Sequence, residues 1–221
     1  MGYDIAIDGP AGAGKSTIAK KIAEKKGMIY VDTGAMYRAM ALYMLRKGVD
    51  IDDPEKIAEA CQDAEITINH EDGVQCVFLN GENVNDLIRT EEVSEAASKT
   101  SVVPELRKKL VSLQQELGLM KDVVMDGRDI GTKVLPNAEL KIYLTASARV
   151  RARRRYDEFL AKGESANLAE IEKEIKERDH RDMTRAESPL VQAEDAILVD
   201  TSDMTIDQVV NKILSLIDEK L

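Results

Sequence analysis

Short apolar runs alternate with amphipathic segments along most of the chain. Tyr3 to Asp8, YDIAID, is apolar and stops at Gly9 and Pro10, which predicts a buried strand ending in a turn. Lys15 to Lys26 carries Ile18, Ala19, Ile22 and Ala23 at helical spacing, and Gly27 stands where a left-handed C-terminal cap is wanted. Met28 to Val31 predicts a second strand; strand, helix and strand in about thirty residues is the pattern of a right-handed parallel crossover. The rhythm returns at Val123 to Met125, Leu140 to Leu144 and Ala196 to Val199. A last helix follows, signalled by a capping box from Thr205 to Gln208 and a stripe of Ile206, Val209, Val210, Ile213, Leu214 and Ile217. These runs predict a three-layer α/β core on five parallel strands.

Two stretches break the rhythm. Roughly ninety residues separate the second and third strands, far more than a crossover needs, so they must carry structure of their own. Within them Ile66 to Ile68 and Val74 to Leu79 are β-type runs around His70-Glu71-Asp72-Gly73, and Asn80-Gly81 supplies a second hairpin turn. Helices are expected from Pro54, after Asp52 and Asp53, and from Pro104 to about Leu117, before Gly118. The second anomaly, Arg149 to Arg185, has many arginines and little apolar periodicity and is expected to be an exposed, mobile helical hairpin, with Asn167 and Glu170 capping its second helix. Both excursions are expected to be lobes attached to one domain: a core of residues 1–33, 104–148 and 186–221, one lobe at 34–103 and a second at 149–185.

Composition narrows the function. Against 31 Lys and Arg stand 41 Asp and Glu, a net charge of −10 over 221 residues, which argues against a general nucleic-acid binder. No ten consecutive residues lack a charge, so neither a membrane span nor a secretory signal is expected, and the protein is expected in the cytoplasm. Cys61 and Cys76 lack metal-ligand spacing and are expected to be reduced thiols. With two histidines and no Trp, mechanisms that rest on a histidine base begin from a thin supply.

Gly9-Pro10-Ala11-Gly12-Ala13-Gly14-Lys15-Ser16, followed by Thr17, fits the phosphate-loop pattern GxxxxGK[ST] and lies between a predicted strand and helix, where that pattern must lie. Its glycines let backbone N–H groups converge on a polyphosphate; Lys15 can reach the terminal phosphates and Ser16 can ligate Mg²⁺. A regulatory GTPase is set aside, because the one Asn-Lys pair, Asn211-Lys212, runs on inside a helix. Asp32-Thr33-Gly34, continuing to Arg38, begins a helix at the ligand-binding edge of the sheet, where Thr33, free N–H groups and Arg38 can hold a second phosphate. On the same edge, Arg128 can bind phosphate bidentately, Asp129 can accept from an exocyclic amine or a ribose hydroxyl, and Asp126 can orient hydrated magnesium through water. The arginines of the second lobe, among them Arg178 and Arg185, would offset the repulsion of two phosphorylated molecules, about 4 kcal/mol per charge pair at 4 Å for an effective dielectric near 20. A phosphate monoester acceptor is already largely ionised at neutral pH, so no general base is required; positioning and charge stabilisation by Lys15, Mg²⁺, Arg128, Arg178 and Arg185 remain.

The segments IDGPAGAGKST, VDTGAMYR, IRTEEVSEAASKTS, MDGRDIGT and IKERDHRDMTRAESPL resemble, in order and across essentially the whole chain, the bacterial-type cytidylate kinases. The resemblance implies a P-loop NTPase fold with a five-stranded parallel sheet, a monophosphate-binding lobe with a small β insertion and an arginine-rich lid, and transfer from ATP to CMP or dCMP. It implies that Thr33, Ser98, Arg107, Asp129 and Arg185 recognise the cytidine moiety, that Arg38 and Arg128 hold its phosphate, and that Arg178 and Asp182 contact ribose or phosphate. The family often has serine where Thr33 stands. Another kinase with the same loop, using UMP, AMP or a small molecule as acceptor, is the alternative, and a nucleotide-binding switch a more distant one. A monomer is expected, since no heptad seam appears.

Overall fold

The computed structural model describes residues 3–71, 73–119 and 122–220. Among these, five parallel strands form the central sheet: β1 (Ile5–Asp8), β2 (Ile29–Asp32), β6 (Val123–Gly127), β7 (Leu140–Thr145) and β8 (Ile197–Asp200), in the order β2-β6-β1-β7-β8. Period-two alternation explains the two covered faces. Ile5 and Ile7 point to one side, with Val124 and Ile142, against α1 (Lys15–Lys26) and α8 (Ile206–Lys220). Ala6, Val31 and Met125 point to the other, toward Val111 and Leu117 of α5 (Pro104–Gly118).

Register places the chemistry. Asp8 is level with Gly127, and Asp32 with Asp126, so the acidic ends of three adjacent strands share one edge of the sheet. Gly9 then turns the chain so close to β7 that a Cβ would lie 1.9 Å from the Leu144 carbonyl oxygen, which no side chain tolerates.

The first excursion has its own core. Met36, Met40 and Met44 of α2 (Thr33–Lys47) pack against Ile57 of α3 (Pro54–Ala60), Val77 and Leu79 of β4 (Val74–Leu79), and Leu106 and Leu110 of α5. The antiparallel insertion is β3 (Ile66–Glu71), β4 and β5 (Glu82–Asn83), with Asn80 and Gly81 both at positive φ in the second turn. Asp72, in the first turn, lies outside the described residues. A further helix, α4 (Glu91–Thr100), is absent from the sequence expectation. Its signals were weak but present: Thr90 caps it through the Val93 N–H, and its buried stripe rests on Val93 and two alanines, Ala96 and Ala97.

The arginine-rich excursion is a hairpin of α6 (Ala148–Ala161) and α7 (Leu168–Thr184). An exposed hairpin is the expectation; the hairpin is present, and the structure corrects its exposure. Ala152, Ile171 and Ile175 form a small apolar cluster with Tyr156 and Phe159 beside it, and Arg151, Asp182 and Arg185 are buried. Asn167 caps α7 by accepting from the Ala169 N–H. The C-terminal capping box is present in both directions, the Thr205 N–H donating to Gln208 and the Gln208 N–H to Thr205. Ile206, assigned to the apolar stripe of α8, is half exposed.

Candidate active site

α1 starts at Gly14, which adopts the left-handed conformation and has no side chain to cap the helix. The first-turn N–H groups therefore have no intrahelical partner and face the loop, a ready anion seat. Lys15 is buried, and its ammonium donates to the Pro10 carbonyl at 2.8 Å. Burial and then Arg128 lower its pKa to about 7, against the opposing pull of Asp126, Asp182 and Asp8.

Ser16 Oγ donates directly to Asp126 Oδ2 at 2.9 Å, and the Tyr30 hydroxyl donates to Asp126 Oδ1 at 2.7 Å. Burial raises the pKa of Asp126, as does its strand neighbour Asp32, while Lys15 counters. A buried carboxylate beside a hydroxyl, both oxygen donors, suits a hydrated Mg²⁺ carried with nucleotide phosphates. Tyr30 was not foreseen as a partner of Asp126.

The remaining candidate residues line the same cleft, of about 320 Å³. Thr33, Arg38 and Ser98 enter from α2 and α4; Arg107 from α5; Arg128 and Asp129 from the end of β6; Arg178, Asp182 and Arg185 from α7 and its C-terminal cap. Of the phosphate loop, Ala11, Gly12 and Gly14 to Thr17 line this cleft, whereas Gly9, Pro10 and Ala13 do not.

The contacts differ in detail from the sequence expectations. Arg38 is not merely solvated: it donates to Asp32 Oδ2 at 2.9 Å, and Arg89 lies 3.4 Å from the same oxygen. Burial pushes the Asp32 carboxyl up, but Arg38 and then Arg89 outweigh it and hold the pKa below the usual value. The Thr33 hydroxyl donates to the Asp126 carbonyl at 2.7 Å, so its proton is not free for a ligand. Gly127 makes room for this, since a Cβ there would sit 2.8 Å from Thr33 Oγ1.

Arg107 is 2 % exposed and is clamped by Asp129 at 2.6 Å and the Ser101 carbonyl at 3.0 Å, with its guanidinium 5.2 Å from the Tyr37 ring centroid. Arg128 donates to Asp182 at 2.9 Å, and Arg185 to the Ser188 carbonyl at 2.8 Å. Burial would raise the Asp182 pKa, yet Arg128, Arg178 and Arg185 together lower it. Arg178 is pulled down to about 10 by burial and then by Arg128.

Two further contacts tie the hairpin to its surroundings. Arg151 pairs with Asp179 at 2.6 Å and donates to the Ala11 carbonyl at 3.0 Å, fixing α6 and α7 to the phosphate loop. Arg155 pairs with Glu91 at 2.8 Å and Arg181 donates to Ser98 Oγ at 3.3 Å, so the hairpin also grips α4.

Asp8, which the sequence reading passed over, accepts from the Ile130 and Gly131 N–H groups at 2.8 and 2.7 Å. Burial pushes its pKa up to about 6 against those two bonds. It ties the strand before the phosphate loop to the turn that carries Asp129. The available signal was an acid closing an apolar strand directly before the loop.

Six cationic side chains and four carboxylates line the cleft, a local excess of positive charge in an acidic protein. Among the described residues, the Nε atoms of Arg38, Arg107 and Arg178 and one terminal nitrogen of Arg185 are buried without a hydrogen-bond partner. Unsatisfied buried guanidinium nitrogens are costly. No histidine lines the cleft among the described residues.

A nucleotide loop facing an arginine-lined pocket across one cleft defines a P-loop phosphotransferase. The family model described as cytidylate kinase matches residues 5–219. The chain is 52 % identical over 213 residues to a cytidylate kinase of Caldicellulosiruptor bescii, covering 96 % of this chain and 94 % of that one. It is 51 % identical to one of Ligilactobacillus salivarius and 52 % to one of Listeria monocytogenes, each comparison covering 98 % of this chain and 96 % of the other. In fold alone it is similar to a crystal structure of an uncharacterised protein from Eubacterium ventriosum, 13 % identical, with a TM-score of 0.53 and 98 % of each chain covered. The chain belongs to the cytidylate kinase family.

Proposed function

We propose that the protein transfers the terminal phosphoryl group of ATP to CMP and dCMP, giving CDP and dCDP. The observation that carries this is the set of five arginines, Arg38, Arg107, Arg128, Arg178 and Arg185, lining one cleft with the Lys15 loop. In this reading residues 34–103 are the acceptor lobe and 149–185 a lid over a core of 1–33, 104–148 and 186–221.

Gly9 to Thr17 seat the triphosphate on backbone N–H groups, and Lys15 leaves the Pro10 carbonyl for the phosphates, where an anion restores its charge. Ser16 and, through water, Asp126 would hold Mg²⁺, which supplies charge neutralisation on the transferring group. Arg38, Arg128 and Arg178 hold the acceptor phosphate. Asp129, kept in place by Arg107, and Ser98 take the cytosine edge, with Thr33 shaping its floor; Asp182 and Arg185 meet the ribose side. The acceptor oxygen is already ionised at neutral pH, since a phosphate monoester has its second pKa near 6, so no base need be supplied. Arg128, Arg178 and Arg185 then stabilise charge spreading over the phosphoryl oxygens, while the hairpin's contacts to Glu91 and Ser98 keep water, the competing nucleophile, out. No described helix is long and apolar enough to cross a membrane, and the enzyme is read as a cytoplasmic monomer.

The test is ADP release with Mg-ATP and a panel of CMP, dCMP, UMP, AMP, GMP, shikimate and no acceptor. CMP and dCMP are expected to lead. Preference for AMP or UMP, or release that does not depend on acceptor, would overturn the reading.

A further inference from the structure

β2 is the edge strand of the parallel sheet, hydrogen-bonded to β6 on one side alone among the described residues. An open edge presents alternate N–H and C=O groups that ordinarily need cover. Here the cover comes from two side chains of the antiparallel insertion. Gln75 on β4 accepts from the Asp32 N–H through Oε1 at 2.7 Å and donates through Nε2 to the Asp32 carbonyl at 3.2 Å. His70 on β3 reaches the Tyr30 carbonyl with Nε2 at 3.0 Å; because a carbonyl only accepts, that nitrogen carries the proton. His70 and Gln75 are opposite each other in the β3–β4 register and therefore share a face, while Tyr30 and Asp32 are two apart on β2 and point their polar groups the same way. Two side chains thus stand in for a sixth strand.

The insertion grips Asp32 at a second point as well. Arg89, downstream of β5, lies 3.4 Å from the Asp32 carboxylate that holds Arg38 and caps α2 through the Ala35 N–H. Gln75 is itself held, since Asn85 donates to the Gln75 carbonyl at 3.0 Å and accepts from the Val77 N–H at 2.9 Å. We infer that Gln75 is a positioning residue for the acceptor phosphate: by clamping the Asp32 backbone it fixes the carboxylate that aims Arg38 into the cleft. The small antiparallel sheet then serves the site from behind, through an edge strand, without touching substrate. This rests on the function proposed above.

The test compares wild type with Gln75→Ala and with Gln75→Met, which keeps the length and packing of the side chain but loses both hydrogen bonds. Losing them is expected to raise the KM for CMP about fivefold to tenfold in both variants, with the KM for ATP within about twofold. Amide exchange at Asp32, read by NMR, should quicken by about tenfold or more once its acceptor is gone. Thermal midpoints guard against a general loss of fold; if Gln75→Ala unfolds, Gln75→Met carries the comparison. Equal rises in both KM values, or unchanged CMP kinetics beside faster Asp32 exchange, would overturn the positioning role. Failure of the wild type to use CMP would instead strike the proposed function, and the exchange measurement would still report on the clamp.

Discussion

The two ends of the cleft are built in different ways. In the proposed reading, the donor end offers backbone N–H groups of one loop of consecutive residues, with Lys15 beside them. The proposed acceptor end consists of side chains from α2, α4, α5, β6 and α7, held in a net of ion pairs such as Arg107 to Asp129 and Arg128 to Asp182. A backbone cradle depends on local conformation and tolerates loss of most side chains around it. A side-chain net depends on each partner, because removing one member leaves a buried charge without its counterion.

That contrast can be broken by experiment. Lys15→Met at the donor end should lower turnover by about two to three orders of magnitude while leaving the folded state intact, since a preorganised cation acts on developing charge. ADP-release kinetics paired with a melting curve check this, and a matching loss of stability would erase the difference between the two ends. Arg107→Met at the acceptor end should do the reverse. It takes the nearer counterion from the buried Asp129 carboxylate and leaves it only Arg185 at 3.9 Å, so unfolding in denaturant should show a loss of about 3 kcal/mol, and the KM for CMP should rise while ATP binding is spared. Equal weakening of both nucleotides would count against it.

A smaller effect is expected from pH. Because the Lys15 pKa in the free protein is lowered to about 7, and bound phosphates favour its charged form, ADP binding should take up a proton at alkaline pH. ADP affinity should fall between pH 7.5 and 9.5 by up to about tenfold per pH unit, beyond the range in which the phosphates themselves titrate. Calorimetry in buffers of different ionisation enthalpy reads the uptake directly, and Lys15→Met should abolish it. For folding, the folded value lies below the unfolded one, so the unfolded chain binds more protons in between. The group therefore adds stability as pH rises from about 7 to about 10.4, and its cost is fully present below 7.

The smallest effect belongs to the exposed rim. Arg155→Met removes a pair with Glu91 in which both partners reach solvent, and it should change stability by less than about 1 kcal/mol. A larger loss would mean that the hairpin depends on this contact more than on the buried Arg151 to Asp179 pair.

How much was legible follows the same division. The five parallel strands, the caps at Gly27 and Thr205, and the whole phosphate loop were readable because each depends on neighbours a few residues apart. α4 was missed, since alanines carry little apolar signal, and the hairpin was read as exposed although Ile171 and Ile175 bury a face of it. Tyr30, Gln75 and Arg89 gave no usable sign of their contacts, and for Asp8 the sequence showed an acid at the strand end but not its partners. Each acts on a residue more than forty positions away, which no local pattern encodes.

By itself, then, the sequence determined where strands end, where glycines turn the chain and which segments bear arginines, because backbone propensity and side-chain periodicity are short-range properties. The tertiary structure alone decided which carboxylate answers which guanidinium, that the hydroxyl of Thr33 turns back onto the Asp126 carbonyl, and that a distant hairpin covers the edge of β2. Those choices are settled by burial. A charge or an open strand edge withdrawn from water must find a partner, and the partner available is the one that folding brings alongside.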